Sequence, residues 1–415
     1  MTNRWVQLGS SLIAMIMIGN LQYSWTLFVH PIQQAHGWRL SDIQWAFTLF
    51  VLCQTWVMPM EGWLIDRLGS RSFVTVAGVL CGVGWGAMGT ATSLFELYAY
   101  YALAAVGAAF VYSGSMSAAL KWFPDRRGLA VGIIAGGFGS GSALFIPFIS
   151  YLIRTIDYHR AFFYTGAVQG VIILAVAQVL RKPRPGEVAA AAAVRTAPAV
   201  RRNAQQFTTL EMLRTPQFYV LYLMFLMMAT GGLLVTAQAG PLAREWKITL
   251  SALTLALALN SVANGVSRIT WGWISDRVGR EPTMAAAFLL QAACLVSVLW
   301  LGRRSDAFFV ITLVLVFLTW GEVFSLFAST VGDYYGSANA TSNYCFTYTA
   351  KGVASIIGGG FGALLFERSG SWSAALYGSA ALALLSGLLA VVLRVAPLPA
   401  KRIAAVSAVP ATLAE

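Results

Sequence analysis

Twelve stretches of roughly 20 uncharged residues, parted by short polar turns, limit what this chain can fold into more than any other feature. They fall near 6–29, 42–65, 73–92, 95–120, 129–153, 160–180, 216–240, 250–275, 283–302, 307–331, 341–365 and 372–394. A helix of about 20 residues spans a hydrocarbon core of about 30 Å and satisfies its own backbone groups there. Of 415 residues, 58% are hydrophobic and 11% charged, with a mean hydropathy of +0.69, so the outer surface must itself be apolar. The first stretch follows Arg4, lacks a small-residue cleavage site and precedes many like it. It reads as a membrane helix rather than a secretion signal. The fold class expected is all-α integral membrane, with twelve transmembrane helices.

The net charge of +12 sits in the connections between stretches and forms no basic face, so a nucleic-acid partner is not expected. The one long polar connection, 181–217, carries seven Lys and Arg with prolines and an alanine run; the alanine-rich middle is compatible with a helix, and the Pro and Arg on both sides favour a flexible linker at the membrane surface at least as well. It divides the chain into a six-helix bundle at 1–180, a linker at 181–215, a second bundle at 216–394 and a tail at 395–415. With both termini cytoplasmic, 18 Lys and Arg fall in inner segments against eight in outer ones, which is the expected orientation. Cys53, Cys81, Cys294 and Cys345 lie in apolar runs without metal-ligand spacing. No nucleophile and base, metal cluster or cofactor motif stands out, so a non-enzymatic protein without metal or cofactor is expected, working as a monomer in the bilayer.

Two loops carry nearly the same string at a constant offset of 210 residues. Gly62-Trp63-Leu64-Ile65-Asp66-Arg67-Leu68-Gly69-Ser70-Arg71 ends the second stretch, and Gly272-Trp273-Ile274-Ser275-Asp276-Arg277-Val278-Gly279-Arg280 ends the eighth. Both copies fall on one side of the membrane, six helices apart, so the halves are parallel repeats about an axis along the membrane normal. An aspartate at the negative end of a helix dipole needs a cation or the start of another helix. Asp66, Arg67, Arg71, Asp276, Arg277 and Arg280 are thus candidates for contacts made in one conformation and broken in another. A second correspondence joins Gly132, Gly136, Gly137, Gly139 and Gly141 to Gly352, Gly358, Gly359, Gly360 and Gly362, a density that suits close helix packing.

Arg268 and Lys351 lie inside the eighth and eleventh stretches, and two charges at that depth cost at least about 5 kcal/mol. Each sits on a polar stripe: Asn260, Asn264 and Arg268 at four-residue steps, and Tyr344, Thr347, Tyr348, Lys351 and Ser355 at steps of three and four. Such stripes line a cavity between halves, where an anion can offset both charges. Glu322 is the only carboxylate well inside a stretch, and one acid cannot neutralise two cations. It is a candidate for ion pairing or proton coupling. Gln22, Tyr23, Trp25, Tyr112, Phe138, Trp320 and Phe324 supply further candidate lining, with ordinary helix packing as the plainer role of each.

The twin loops resemble the signature of the major facilitator superfamily. More narrowly, Gln22-Tyr23-Ser24-Trp25-Thr26-Leu27, Lys121-Trp122-Phe123-Pro124-Asp125-Arg126-Arg127-Gly128, the arginine of the eighth helix and Ala350-Lys351-Gly352 resemble the oxalate:formate antiporter family, from about Asn3 to Val395. The resemblance implies exchange of oxalate for formate across a bacterial inner membrane. It also implies that Arg268 and Lys351 hold the dicarboxylate among Gln22, Tyr23, Tyr112, Trp320 and Tyr348. The chain departs from the family at Phe138 and Phe324, where the family has tyrosines, at Tyr348, where it has tryptophan, and at Glu322, where it has glycine. The departures bear on the substrate. A monocarboxylate carrier, proton-coupled through Glu322, is the alternative, because that wider family shares the helix-8 arginine.

Overall fold

Apolar stretches in lipid must close their own hydrogen-bond ladders, and these do. The computed structural model describes residues 4–61, 70–123, 127–181, 183, 200–336 and 339–401. Among them every regular element is helical. The first span, α1, is a bent pair, Arg4–Tyr23 and Trp25–His36, meeting at 42°. It is followed by α2 Leu40–Glu61, α3 Ser70–Thr90, α4 Leu94–Ala118, α5 Gly132–Thr155, α6 Tyr158–Ala177, α7 Pro216–Glu245, α8 Leu250–Val278, α9 Arg280–Arg304, α10 Asp306–Tyr335, α11 Ser342–Ser369 and α12 Ser373–Val395. The chain is a multi-pass membrane protein. Its outward faces are apolar: Val76, Val79 and Val83 recur at helical spacing on α3, as do Leu384, Leu388 and Val391 on α12.

The bend in α1 has a local cause. The Ser24 hydroxyl donates to the Asn20 carbonyl at 2.7 Å, a back-bond that loosens a helix at that turn. Past it the helix tolerates Pro31 and runs on to His36, beyond the expected end at 29, until Gly37 at φ 67° donates to Gln33 O and stops it.

Close helix approaches follow the glycines. A Cβ at Gly19 would lie 2.5 Å from Phe138 O, and one at Gly139 would lie 2.6 Å from Asn264 Oδ1, so α5 is wedged between α1 and α8. On α11, a Cβ at Gly358 would meet Leu234 N at 2.7 Å, while Gly359 and Gly360 face Thr48 and Trp45. Thus α5 packs on α8, and α11 on α2. The sequence repeat pairs α2 with α8 and α5 with α11, so these two contacts are exchanged by the two-fold axis it implies. Gly132 and Gly136 face open space and have no such role.

The linker departs from the expected flexible surface segment over 200–215. Arg201 donates to the carbonyls of Leu393, Arg394 and Ala396 at the end of α12, and Arg202 pairs with Asp333 at 3.0 Å. Backbone bonds join Asn203 N to Asp333 O and Phe207 N to Tyr335 O, and Asn203 Nδ2 reaches Pro399 O in the tail. Arginines cap the carbonyl ends of helices, so a basic segment has a binding surface there that it lacks in water.

Candidate anion-binding site

Arg268 of α8 and Lys351 of α11, both in the second half of the chain, reach across the seam to the first half. Both are buried, Arg268 at 4% exposure and Lys351 at 0%. The Arg268 guanidinium donates to Asn264 Oδ1 from Nε at 3.2 Å and Nη2 at 3.0 Å, and from Nη1 to Ala135 O on α5 at 3.1 Å. The Lys351 ammonium donates to Gln22 Oε1 at 2.9 Å, Gln54 Oε1 at 3.2 Å and Tyr348 OH at 3.3 Å. Among the described residues no carboxylate pairs with either cation.

Two phenyl rings serve both cations. The Phe324 centroid lies 4.5 Å from Arg268 Cζ and 5.5 Å from Lys351 Nζ; that of Phe138 lies 5.9 Å and 5.7 Å away. Tyr23 and Tyr112 meet Phe138 edge-on, Tyr112 stacks on Tyr348, and Tyr348 and Trp320 flank Phe324. All nine of Arg268, Lys351, Gln22, Tyr23, Tyr112, Phe138, Trp320, Phe324 and Tyr348 therefore belong to one cluster. Trp25 does not: its Nε1 bonds Gln44 and its ring stacks on Tyr101.

Around the cations the buried polar atoms without partners include the donors Gln22 Nε2, Gln54 Nε2, Asn264 Nδ2 and Trp320 Nε1. A buried donor left unpaired costs about 1–3 kcal/mol, so four of them beside two cations describe a place for an acceptor-rich anion. Asn264 lies on the cavity-lining stripe read from the sequence, whereas Gln54 was not picked out. An amide in an apolar run is a weaker signal than a charge, though the same search of polar positions within spans would have reached it.

A family model described as Major Facilitator Superfamily matches residues 10–239 and 221–415. The chain belongs to this superfamily. The oxalate:formate antiporter of Oxalobacter formigenes is 37% identical over 373 residues, covering 90% of this chain and 87% of that protein. An uncharacterised transporter of the superfamily from Escherichia coli (strain K12) is 25% identical, covering 85% and 86%. Human monocarboxylate transporter 11 is 25% identical over 57% of this chain and 49% of its own length.

The remaining predicted residues lie elsewhere on the major facilitator frame. Glu322 is fully buried behind the site and pairs with neither cation; its side chain contacts Ser267 at 3.5 Å. The ion-pairing alternative is absent here: residues 320 and 324 turn toward the cations, which turns 322 toward Ser267 of α8. In the second twin loop, Arg280 bonds both Asp276 and Asp333 at 2.8 Å, while Arg277 lies over the Trp273 ring. Arg71 bonds Gln178. Asp66 and Arg67 lie outside the described residues.

At the end of the bundle away from the linker, Glu367 of α11 takes Arg39 Nη2 at 2.6 Å and Ser41 N at 2.8 Å, and Gly240 N of α7 bonds Thr26 Oγ1 of α1 at 2.6 Å. An open vestibule of about 960 Å³ lies there, lined by Arg39, Arg244, Lys247, Glu245 and Glu367 among others. It is separate from the two cations.

Proposed function

We propose that this protein is a secondary transporter that exchanges small carboxylate anions, oxalate against formate, by alternating access about the Arg268–Lys351 site. One observation carries this reading: two buried cations, on α8 and α11 of the second half, have only neutral acceptors, several of them supplied by the first half, with unpaired donors around them. Arg268 offers a planar fork to one carboxylate, and Lys351 a compact charge to a second. The relative from Oxalobacter formigenes, named for oxalate:formate antiport, supports the same substrates. Gln22, Tyr23, Tyr112, Phe138, Trp320, Phe324 and Tyr348 complete the pocket, with Gln54 and Asn264 as the acceptors that hold the cations.

An empty site keeps two uncompensated charges, and enclosing them without an anion is costly. Exchange then outruns net flux. Opening toward the vestibule breaks the Arg39–Glu367 and Thr26–Gly240 bonds, and opening the other way loosens the Asp276–Arg280–Asp333 group with its counterpart at Asp66, Arg67 and Arg71. The bundles are 1–180 and 216–394, the linker 181–215 and the tail 395–415. Both termini face the cytoplasm of a bacterial inner membrane, and the protein works there as a monomer, without enzymatic activity.

The test is labelled oxalate uptake into proteoliposomes preloaded with formate, oxalate or no anion, with acetate and lactate as competitors. Preloading is expected to accelerate uptake strongly. Better competition by lactate than by oxalate, or rapid efflux into anion-free buffer, refutes the reading. Reporter fusions at Arg202 and at the C-terminus are both expected to report cytoplasm; a periplasmic signal at either overturns the orientation.

A further inference from the structure

Helix α10 is broken between its segments Asp306–Trp320 and Val323–Tyr335, at Gly321 and Glu322. The hydrogen bonds at the break count protons. Glu322 N–H, which in a continuous helix bonds Leu318 O, bonds Ser267 Oγ of α8 at 3.1 Å. Leu318 O instead accepts Ser267 Oγ–H at 2.9 Å and Trp271 Nε1–H at 2.8 Å. Ser267 has one hydroxyl proton, offered to Leu318 O at 2.9 Å and to Glu322 Oε2 at 3.5 Å, so the Glu322 carboxyl receives at most one long, weak hydrogen bond. An ionised carboxylate would draw a hydroxyl in to about 2.5–2.7 Å. Glu322 Oε1 has no partner, and the residue is wholly buried.

The neighbours of Glu322 do not neutralise a charge there. From α8, Arg268 follows Ser267 but is committed to Asn264 and Ala135. From α9, the neutral amide of Gln291 bonds Thr319, just before the break. From α7, Phe225 packs on Phe324, and from α11, Tyr344 and Tyr348 pack there, with Lys351 beyond the Phe324 ring.

We propose that Glu322 is a proton-binding site that couples anion binding to pH. Protonated, it leaves the α8–α10 seam neutral; ionised, it sets a negative charge against Ser267, one residue from Arg268, that repels an incoming anion through the low-dielectric interior. This rests on Arg268 as an anion ligand. Binding equilibria are reciprocal, so an anion that binds the protonated form better must draw a proton in as it binds.

The experiment adds oxalate, or formate, to the purified protein in weakly buffered detergent solution and follows binding together with a pH dye. Uptake of up to one proton per bound anion is expected. The KM for oxalate in proteoliposomes should rise about tenfold per pH unit on the alkaline side of the transition. Both effects are lost in Glu322→Gln and kept in Glu61→Gln, which alters another of the buried acids. Binding without proton uptake, or an unchanged pH profile in Glu322→Gln, overturns the coupling and leaves the anion site standing. Failure of wild type to bind either anion overturns the site and the coupling together. Should Glu322→Gln not insert, the infrared carboxyl band of wild type and Glu61→Gln decides. A band that titrates in both supports the proposal; a band missing from either overturns it.

Discussion

Replacing Lys351 by glutamine removes one of the two buried charges while keeping length and polarity. The ammonium's three protons are all used, by Gln22, Gln54 and Tyr348, so an incoming carboxylate must displace at least one neutral acceptor. A unit charge pair at about 4 Å gains about 4 kcal/mol at an effective dielectric constant near 20. A hydrogen bond to a charged group, surrendered in the exchange, is worth about 1.5–3 kcal/mol. The net contribution of Lys351 to holding a second carboxylate is then about 1–2.5 kcal/mol, or about five- to seventyfold in oxalate affinity. Formate, held by one carboxylate on Arg268, should lose less. The assay is oxalate and formate KM in proteoliposomes, with a monodisperse elution profile to show that the variant is folded. An unchanged oxalate KM, or an equal loss for both anions, refutes the two-cation reasoning.

Phe324→Tyr and Phe138→Tyr each put a hydroxyl beside rings that already touch both cations, and each should lower the oxalate KM about two- to tenfold, at about 0.5–1.5 kcal/mol per hydrogen bond; competition binding checks this. Gly19→Ala forces a methyl to within 2.5 Å of the Phe138 carbonyl, backbone that cannot swing aside, and should cost about 1–3 kcal/mol, read as a lower thermal midpoint in detergent. Glu211 caps the turn at Thr208, whose backbone N–H it accepts at 2.8 Å, and it also holds Lys401 in the tail at 2.9 Å. These bonds hold its carboxyl down to about 2. Because that value lies below the unfolded value of about 4.3, its contribution is complete above pH 4.3 and is lost as pH falls toward 2. Hydrogen exchange over 205–213 should therefore be equally protected at pH 5 and pH 8, and Glu211→Gln should loosen it at both.

The sequence by itself determined the membrane class, the span count, the two-fold repeat and the two costly cations. Each is a local or periodic property: run length, charge placement, a string repeated 210 residues apart. It also named the aromatic shell, through motif resemblance more than through helical phase. Tertiary structure alone decided which polar groups meet. Gln54 reaches Lys351 only because α11 lies against α2 at Gly352 and Gly359, and Arg268 reaches the Ala135 carbonyl only because α5 and α8 approach closely at Gly139 and Gly265. Along the chain Glu322 stayed open between ion pairing and proton coupling; its contact with Ser267 of α8, which takes the N–H freed at the break in α10, exists only in the packed fold. The basic linker read as a flexible surface segment for the same reason. Arg201 and Arg202 are anchored by carbonyl ends and carboxylates of α9, α10 and α12 that come together only when those helices pack.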